Sequence, residues 1–197
     1  MYILPRAVSS VGAALAALPL VLGAPVTPGL APQAAAAQDQ TTLASPQPLP
    51  TAQINGVVWD QTIVGNVVYV VGEFSKARPA GSPKEQNESP RSNAMAYDIT
   101  TGELLDWAPQ LNAAANTIEA SPDGSTLYMA GLFTQVNDLE RLRAAAVDLK
   151  TQQVTNFAPQ VDDDSEVRAI TVAADGSAVA IGGSFETVEG SSDAYGM

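Results

Sequence analysis

Residues 94–133 read AMAYDITTGELLDWAPQLNAAANTIEASPDGSTLYMAGLF, and the chain says most of this twice. Residues 94–110 return fifty positions later as 144–160, AAAVDLKTQQVTNFAPQ. Seven of the seventeen aligned pairs are identical, among them Asp98 with Asp148 and Thr101 with Thr151. Residues 116–133 return fifty-two positions on as RAITVAADGSAVAIGGSF, which keeps the Ile, the Asp-Gly-Ser, a Gly and the Phe. A period of this size marks stacked supersecondary units.

Working outward, the same text can be followed upstream to Ile54. Short β runs alternate with turn residues: 57–64, Gly65-Asn66, then 67–74; 117–122, Asp123-Gly124-Ser125, then 126–133; 169–174, Asp175-Gly176-Ser177, then 178–185. Asp-Gly between two β runs predicts a hairpin whose tight turn needs positive φ. A third run (95–99, 145–149) and a fourth (104–108, 154–158) complete each unit. Four short antiparallel strands per roughly fifty residues is the build of a β-propeller blade. The expected fold is therefore all-β: an incomplete β-propeller of about two and a half blades, at 54–110, 111–160 and 161–197.

The residue pattern fits that expectation. The second strand of each unit is almost wholly apolar, as a strand covered on both faces should be. Gly72, Gly131 and Gly183 recur two residues before Phe74, Phe133 and Phe185. Glycine inside a strand costs stability, so its return at one place predicts a close backbone approach or a kink. The phenylalanines read as packing residues. Trp107 and Phe157 each precede Ala-Pro-Gln, where Pro109 and Pro159 end the fourth run.

Composition narrows the function. Twenty-one acidic residues stand against nine basic ones, a net charge of -12, which opposes binding to nucleic acid phosphates. There is no cysteine and no histidine. Disulfides, ordinary zinc sites and a Ser-His-Asp apparatus are thereby excluded within this chain. At the start, Arg6, the apolar run 7–22 and Ala34–Ala37 have the order of a secretory signal peptide, with cleavage after Ala37. Pro19 interrupts a run already too short to span a bilayer, so no stable membrane span is expected. Residues 38–53, polar and rich in proline, read as an extended linker.

Candidate chemistry is sparse. Asp162, Asp163 and Asp164, near Glu166, are carboxylates of the kind that hold Ca²⁺. Their spacing lacks the alternating ligands of a calcium loop, and a solvated acidic loop is the better reading. Carboxylate pairs for glycoside cleavage would have to come from residues such as Glu73, Asp106 or Glu186. The acids at matched positions (Asp98 and Asp148, Asp123 and Asp175) argue for structural duty instead, since a catalytic residue need occur only once. Residues 75–93 exceed the equivalent stretch by nine residues and carry Lys76, Arg78, Lys84 and Arg91. Such a loop is either a recognition loop or a tolerated surface insertion, and the latter is cheap.

The string Val-x-x-Ile, Asp-Gly-Ser, Gly-Gly-x-Phe over 167–185, with Ala-x-x-Asp-x-x-Thr-Gly and Trp-x-Pro over 94–109, resembles the delta-60 type β-propeller repeat of secreted bacterial proteins. The resemblance covers about residues 56–190. Departures are Glu73 after Gly72, Ala130 before Gly131, and Gln152 in place of the turn glycine. It implies an extracellular propeller, commonly part of a larger surface protein, and no known reaction; no cofactor is expected. On this reading the chain is part of a longer protein. The expected function is a secreted, non-catalytic binding or scaffold module facing carbohydrate, cell wall or another extracellular protein. The alternative is an exported carboxylate-using hydrolase or lyase whose site is completed elsewhere.

Overall fold

The computed structural model describes residues 47–162 and 164–194. The expected signal peptide, the linker up to residue 46, Asp163 and residues 195–197 lie outside them. The described chain is all-β, in small antiparallel sheets; its one helical turn is a short 3-10 segment, Ser192–Ala194.

The first unit holds β1 (Gln53–Ile54), β2 (Val57–Val64), β3 (Val67–Glu73), β4 (Lys76–Arg78), β5 (Ser89–Pro90) and β6 (Ala94–Asp98). The second holds β7 (Ala115–Ala120), β8 (Thr126–Gly131), β9 (Gln135–Val136), β10 (Leu139–Glu140) and β11 (Ala144–Asp148). β12 (Glu166–Val172) and β13 (Val179–Ser184) belong to the third. The main sheets are β2-β3-β6, β7-β8-β11 and β12-β13. In all three the first strand carries one bulged residue: Trp59, Asn116 and Arg168.

The sheets lie one upon the next, β2 beside β7 and β7 beside β12. Tyr69, Val71, Ala94 and Ala96 of the first sheet meet Ile118, Leu127, Met129, Ala145 and Val147 of the second. On its other side the second sheet gives Ala130 and Ala144 to a core with Val167, Ile170 and Phe185. β8 and β11 are thus covered on both faces, which is why they lack polar alternation. Phe74, Phe133 and Phe185 are all buried, as is Trp107, while Phe157 is half-buried. Tyr69 stands edge-on to Trp107 (centroids 5.0 Å apart) and Tyr128 edge-on to Phe157 (5.2 Å), one pair in each of the first two units.

Three expectations change. The fourth runs make only single bridges, Tyr97 with Leu104 and Val147 with Val154. These segments leave the sheet so that Trp107 or Phe157 can turn onto the tyrosine and Pro109 or Pro159 can end the pairing. Second, the Asp-Gly hairpins form with the positive φ expected of them, but on glycine alone. Gly124 and Gly176 have φ of 68° and 72°, but the aspartates before them do not. Gly124 N–H bonds to the Ser121 carbonyl and Gly176 N–H to that of Ala173, so each connection holds a four-residue turn with glycine last. Third, the compact unit begins at Leu49, inside the stretch read as linker. Ala52 is buried, Leu49 and Ile54 pack beside Val68, Val70, Met95 and Tyr97, and Gln53 already belongs to β1.

Each unit also holds a small hairpin absent from the expectation. β9 and β10 pair across Asn137-Asp138, both at positive φ, and β9 bridges back to Leu111. In the third unit Val188 bridges Ser191 and Val161. In the first, β4 pairs with β1 and β5. The long loop 75–93 is this hairpin with an extended tip.

Candidate functional site

A cleft of about 350 Å³ opens where β3 leaves its sheet, lined by Asn55, Glu73, Phe74, Ser75, Arg91, Ser92, Asn93 and Leu111. Its polar groups are mostly bonded inward. Asn55 Oδ1 accepts from Ser75 N–H (3.0 Å) and Lys76 N–H (2.8 Å), and Asn55 Nδ2 donates to Ser75 Oγ. Asn93 Oδ1 accepts from Phe74 N–H and its Nδ2 donates to the Leu111 carbonyl. The Arg91 guanidinium donates to the carbonyls of Pro90 (2.7 Å) and Leu105 (3.1 Å). The Glu73 carboxylate is exposed at the rim.

The same clamps recur. Asn112 Oδ1 accepts from Thr134 and Gln135 N–H, and Asp162 Oδ1 from Glu186 (3.1 Å) and Thr187 (2.9 Å) N–H. Asp162, a candidate cation ligand by sequence, is therefore the third copy of a clamp that is asparagine in the other two units. Those backbone bonds, Thr187 first, hold its carboxyl below the usual value. Asp164 is exposed and Asp163 lies outside the described residues; among the described residues no three acidic side chains gather as metal ligands. Arg141 repeats Arg91, bonding the Glu140 and Thr155 carbonyls. Extending the repeat three residues upstream of Ala94 and Ala144 would have revealed this pair.

The loop cations are engaged as well. Lys76 pairs with Glu88 at 2.9 Å, Arg78 bonds the Ser82 carbonyl and Gln53, and Lys84 lies 3.9 Å from Glu85 in the open. Arg91, counted above as a recognition candidate, instead braces the segment after the third strand. Replacing Arg91 by alanine should cost about 1.5–3 kcal/mol, the usual worth of hydrogen bonds to a charged group. The Lys84→Ala variant should be neutral; urea unfolding compares the two.

The matched aspartates are all turn residues. Asp98 Oδ1 accepts from Thr100 and Thr101 N–H, and Asp148 Oδ1 from Thr151 N–H (2.7 Å) and Oγ1 (2.8 Å). Asp123 accepts from Ser121 Oγ, Ser125 N–H and Ser125 Oγ, Asp175 from Ser177 N–H and Oγ. These bonds favour the charged form. They lower Asp98, Asp148 and Asp175, and bring Asp123 from 3.8 to about 2, the Ser121 hydroxyl contributing most. A carboxylate easier to ionise folded than unfolded stabilises above its unfolded value and ceases to as pH falls through its folded one. The difference in urea midpoint between wild type and Asp123→Ala should be constant above about pH 5 and shrink between about 4 and 2. A difference unchanged at low pH would remove this role.

The three acids considered for hydrolysis are not assembled. Glu73 ends β3, Asp106 is exposed just before Trp107, and Glu186 is exposed in the third unit; of these only Glu73 lines the cleft. No helix among the described residues is long and apolar enough to cross a membrane. No family model matches the chain, and no curated protein matches it significantly.

Proposed function

We propose that the chain is an exported, non-catalytic binding or scaffold module built from β-propeller repeats of the delta-60 type. One observation carries the non-catalytic part: the acids that recur with the repeat are bonded to backbone and hydroxyl groups of their own turns. The propeller reading is supported by three sheets of one register, laid face to face with their first strands side by side. The exported character rests on the order of charge, apolar run and alanines over residues 1–37. Loops at the sheet ends, held by the asparagine and arginine clamps, offer a rigid surface on which recognition can sit.

The candidate ligands are carbohydrate, cell wall and extracellular protein. A glycan array and sedimentation with isolated cell wall, run beside a panel of glycoside and lyase substrates, test the reading. Binding without turnover supports it. Turnover abolished by Glu73→Gln would overturn it in favour of a carboxylate enzyme. Recovery of the product inside the cell with residue 1 retained would overturn export.

A further inference from the structure

Duties shared by every unit are structural, so a ligand site shows where one unit departs from the others. The frame of the cleft is shared: Asn55, Phe74 and Arg91 stand in the second unit as Asn112, Phe133 and Arg141. Its opening is not. Where the first unit has Glu73, Ser92 and Asn93, the second has Leu132, Leu142 and Arg143. The match is fixed by the backbone, since Asn93 N–H bonds the Phe74 carbonyl and Arg143 N–H that of Phe133. Three bulky side chains of the second unit are thus a carboxylate, a hydroxyl and a short amide around the first unit's cleft.

The bulged residue departs in the same way. Asn116 reaches the next sheet, its Nδ2 donating to Glu166 Oε1 and the Val167 carbonyl, both at 2.9 Å. Trp59, at the matching bulge, is 56% exposed. Register sets it beside the cleft. Val57 pairs directly with Glu73, so their side chains share one side of the sheet. Trp59 follows on that side two residues on, about 7 Å along the strand. Among the described residues neither the Glu73 carboxylate nor the Ser92 hydroxyl has a hydrogen-bond partner, whereas Asn55, Asn93 and Arg91 are occupied by backbone groups.

We propose that this corner binds a glycan built of amino sugars, one ring stacked on Trp59 and the ammonium of its neighbour held by Glu73 at the mouth of the cleft. The proposal rests on the binding-module reading above and names its ligand and site. An exposed indole face takes the apolar side of a sugar ring and favours a cation close by. A lone carboxylate beside it takes an ammonium, and Ser92 takes a ring hydroxyl. The net charge of -12 attracts such a chain and repels acidic polysaccharides. A glucosamine unit supplies the ring, the hydroxyls and the ammonium together.

Isothermal titration of the full chain with the glucosamine trimer tests this, beside the N-acetylglucosamine trimer, the glucose trimer and trilysine. Wild type should bind the glucosamine trimer at least about tenfold more tightly than the other three. Trp59 emission should change on binding while that of buried Trp107 stays as it is. Trp59→Ala and Glu73→Gln, both at exposed positions, should each lose about tenfold in affinity, the scale of a stacked ring or a charge-assisted bond. Asp138→Asn removes the same charge from an exposed turn of the second unit and should bind as wild type does. An equal loss there would make the attraction one of net charge and overturn the site. Equal binding of the N-acetylated trimer or of trilysine overturns the amino-sugar assignment, as does binding to none of the four. In each of these cases sedimentation with cell wall still decides the binding reading by itself. Cleavage of the glucosamine trimer, lost in Glu73→Gln, would instead sink the non-catalytic reading and keep the ligand in this cleft.

Discussion

The Gly131→Ala variant is expected to lose on the order of 3 kcal/mol of stability, at the upper end of overpacking effects. A Cβ on Gly131 would lie 2.5 Å from the Ala114 carbonyl oxygen and 2.6 Å from Ala115 Cα. Both are backbone atoms at the start of β7, one in its first residue and one in the residue before it, and the second sheet is held on each side by a neighbour, so neither strand can yield. Gly72 and Gly183 have the same environment, with carbonyl oxygens of Val57 and Glu166 2.0 Å from the added carbon. The clash arises at the bulge, where the first strand carries its extra residue and its backbone swings onto the second. Gly176→Ala is the control. Its φ is 72° with nothing near the added atom, and it should cost only about 1 kcal/mol. Equal urea midpoints for the two variants would refute the close-approach account.

Truncating Phe133 to alanine should cost about 3–5 kcal/mol, the range for a buried aromatic ring. Its ring has no solvent exposure and belongs to the core between the first and second sheets, with Trp107, Leu111 and Val136. Removing it opens a cavity beneath the small hairpin of the second unit and loosens the contact with the first. Leu132, its neighbour in sequence, is 40% exposed, and Leu132→Ala should change stability by less than about 1 kcal/mol. Chemical denaturation of both variants measures the contrast. A Phe133→Ala protein as stable as Leu132→Ala would show that the two sheets do not depend on this ring.

The large-scale order was readable because burial repeats as faithfully as sequence does. Gly72, Gly131 and Gly183 recur because each meets a carbonyl, and the phenylalanines after them because each fills a core. Smaller devices left fainter traces. The second unit's hairpin has strands of two residues, too short for any alternation to register. The clamp at 55, 112 and 162 is two asparagines and an aspartate, so identity matching passes over it, although all three present the same acceptor oxygen. Asp123-Gly124 pointed to the hairpin and to its positive φ, which falls on the glycine alone because the aspartate bonds the amide two residues on. Arg91 looked like a free cation of a basic loop; only the fold shows the carbonyls it serves.

The hairpin after the second strand spans two turn residues in the second unit, Asn137-Asp138, and ten in the first, 79–88, while the sheets beneath keep their register. That corner behaves as a splice point, where length can change without being felt by the stack. A reporter epitope placed after Asp138, past the two bonds that tie Asn137 to Gln110, would be carried at little cost in stability, as the ten-residue tip of the first unit is.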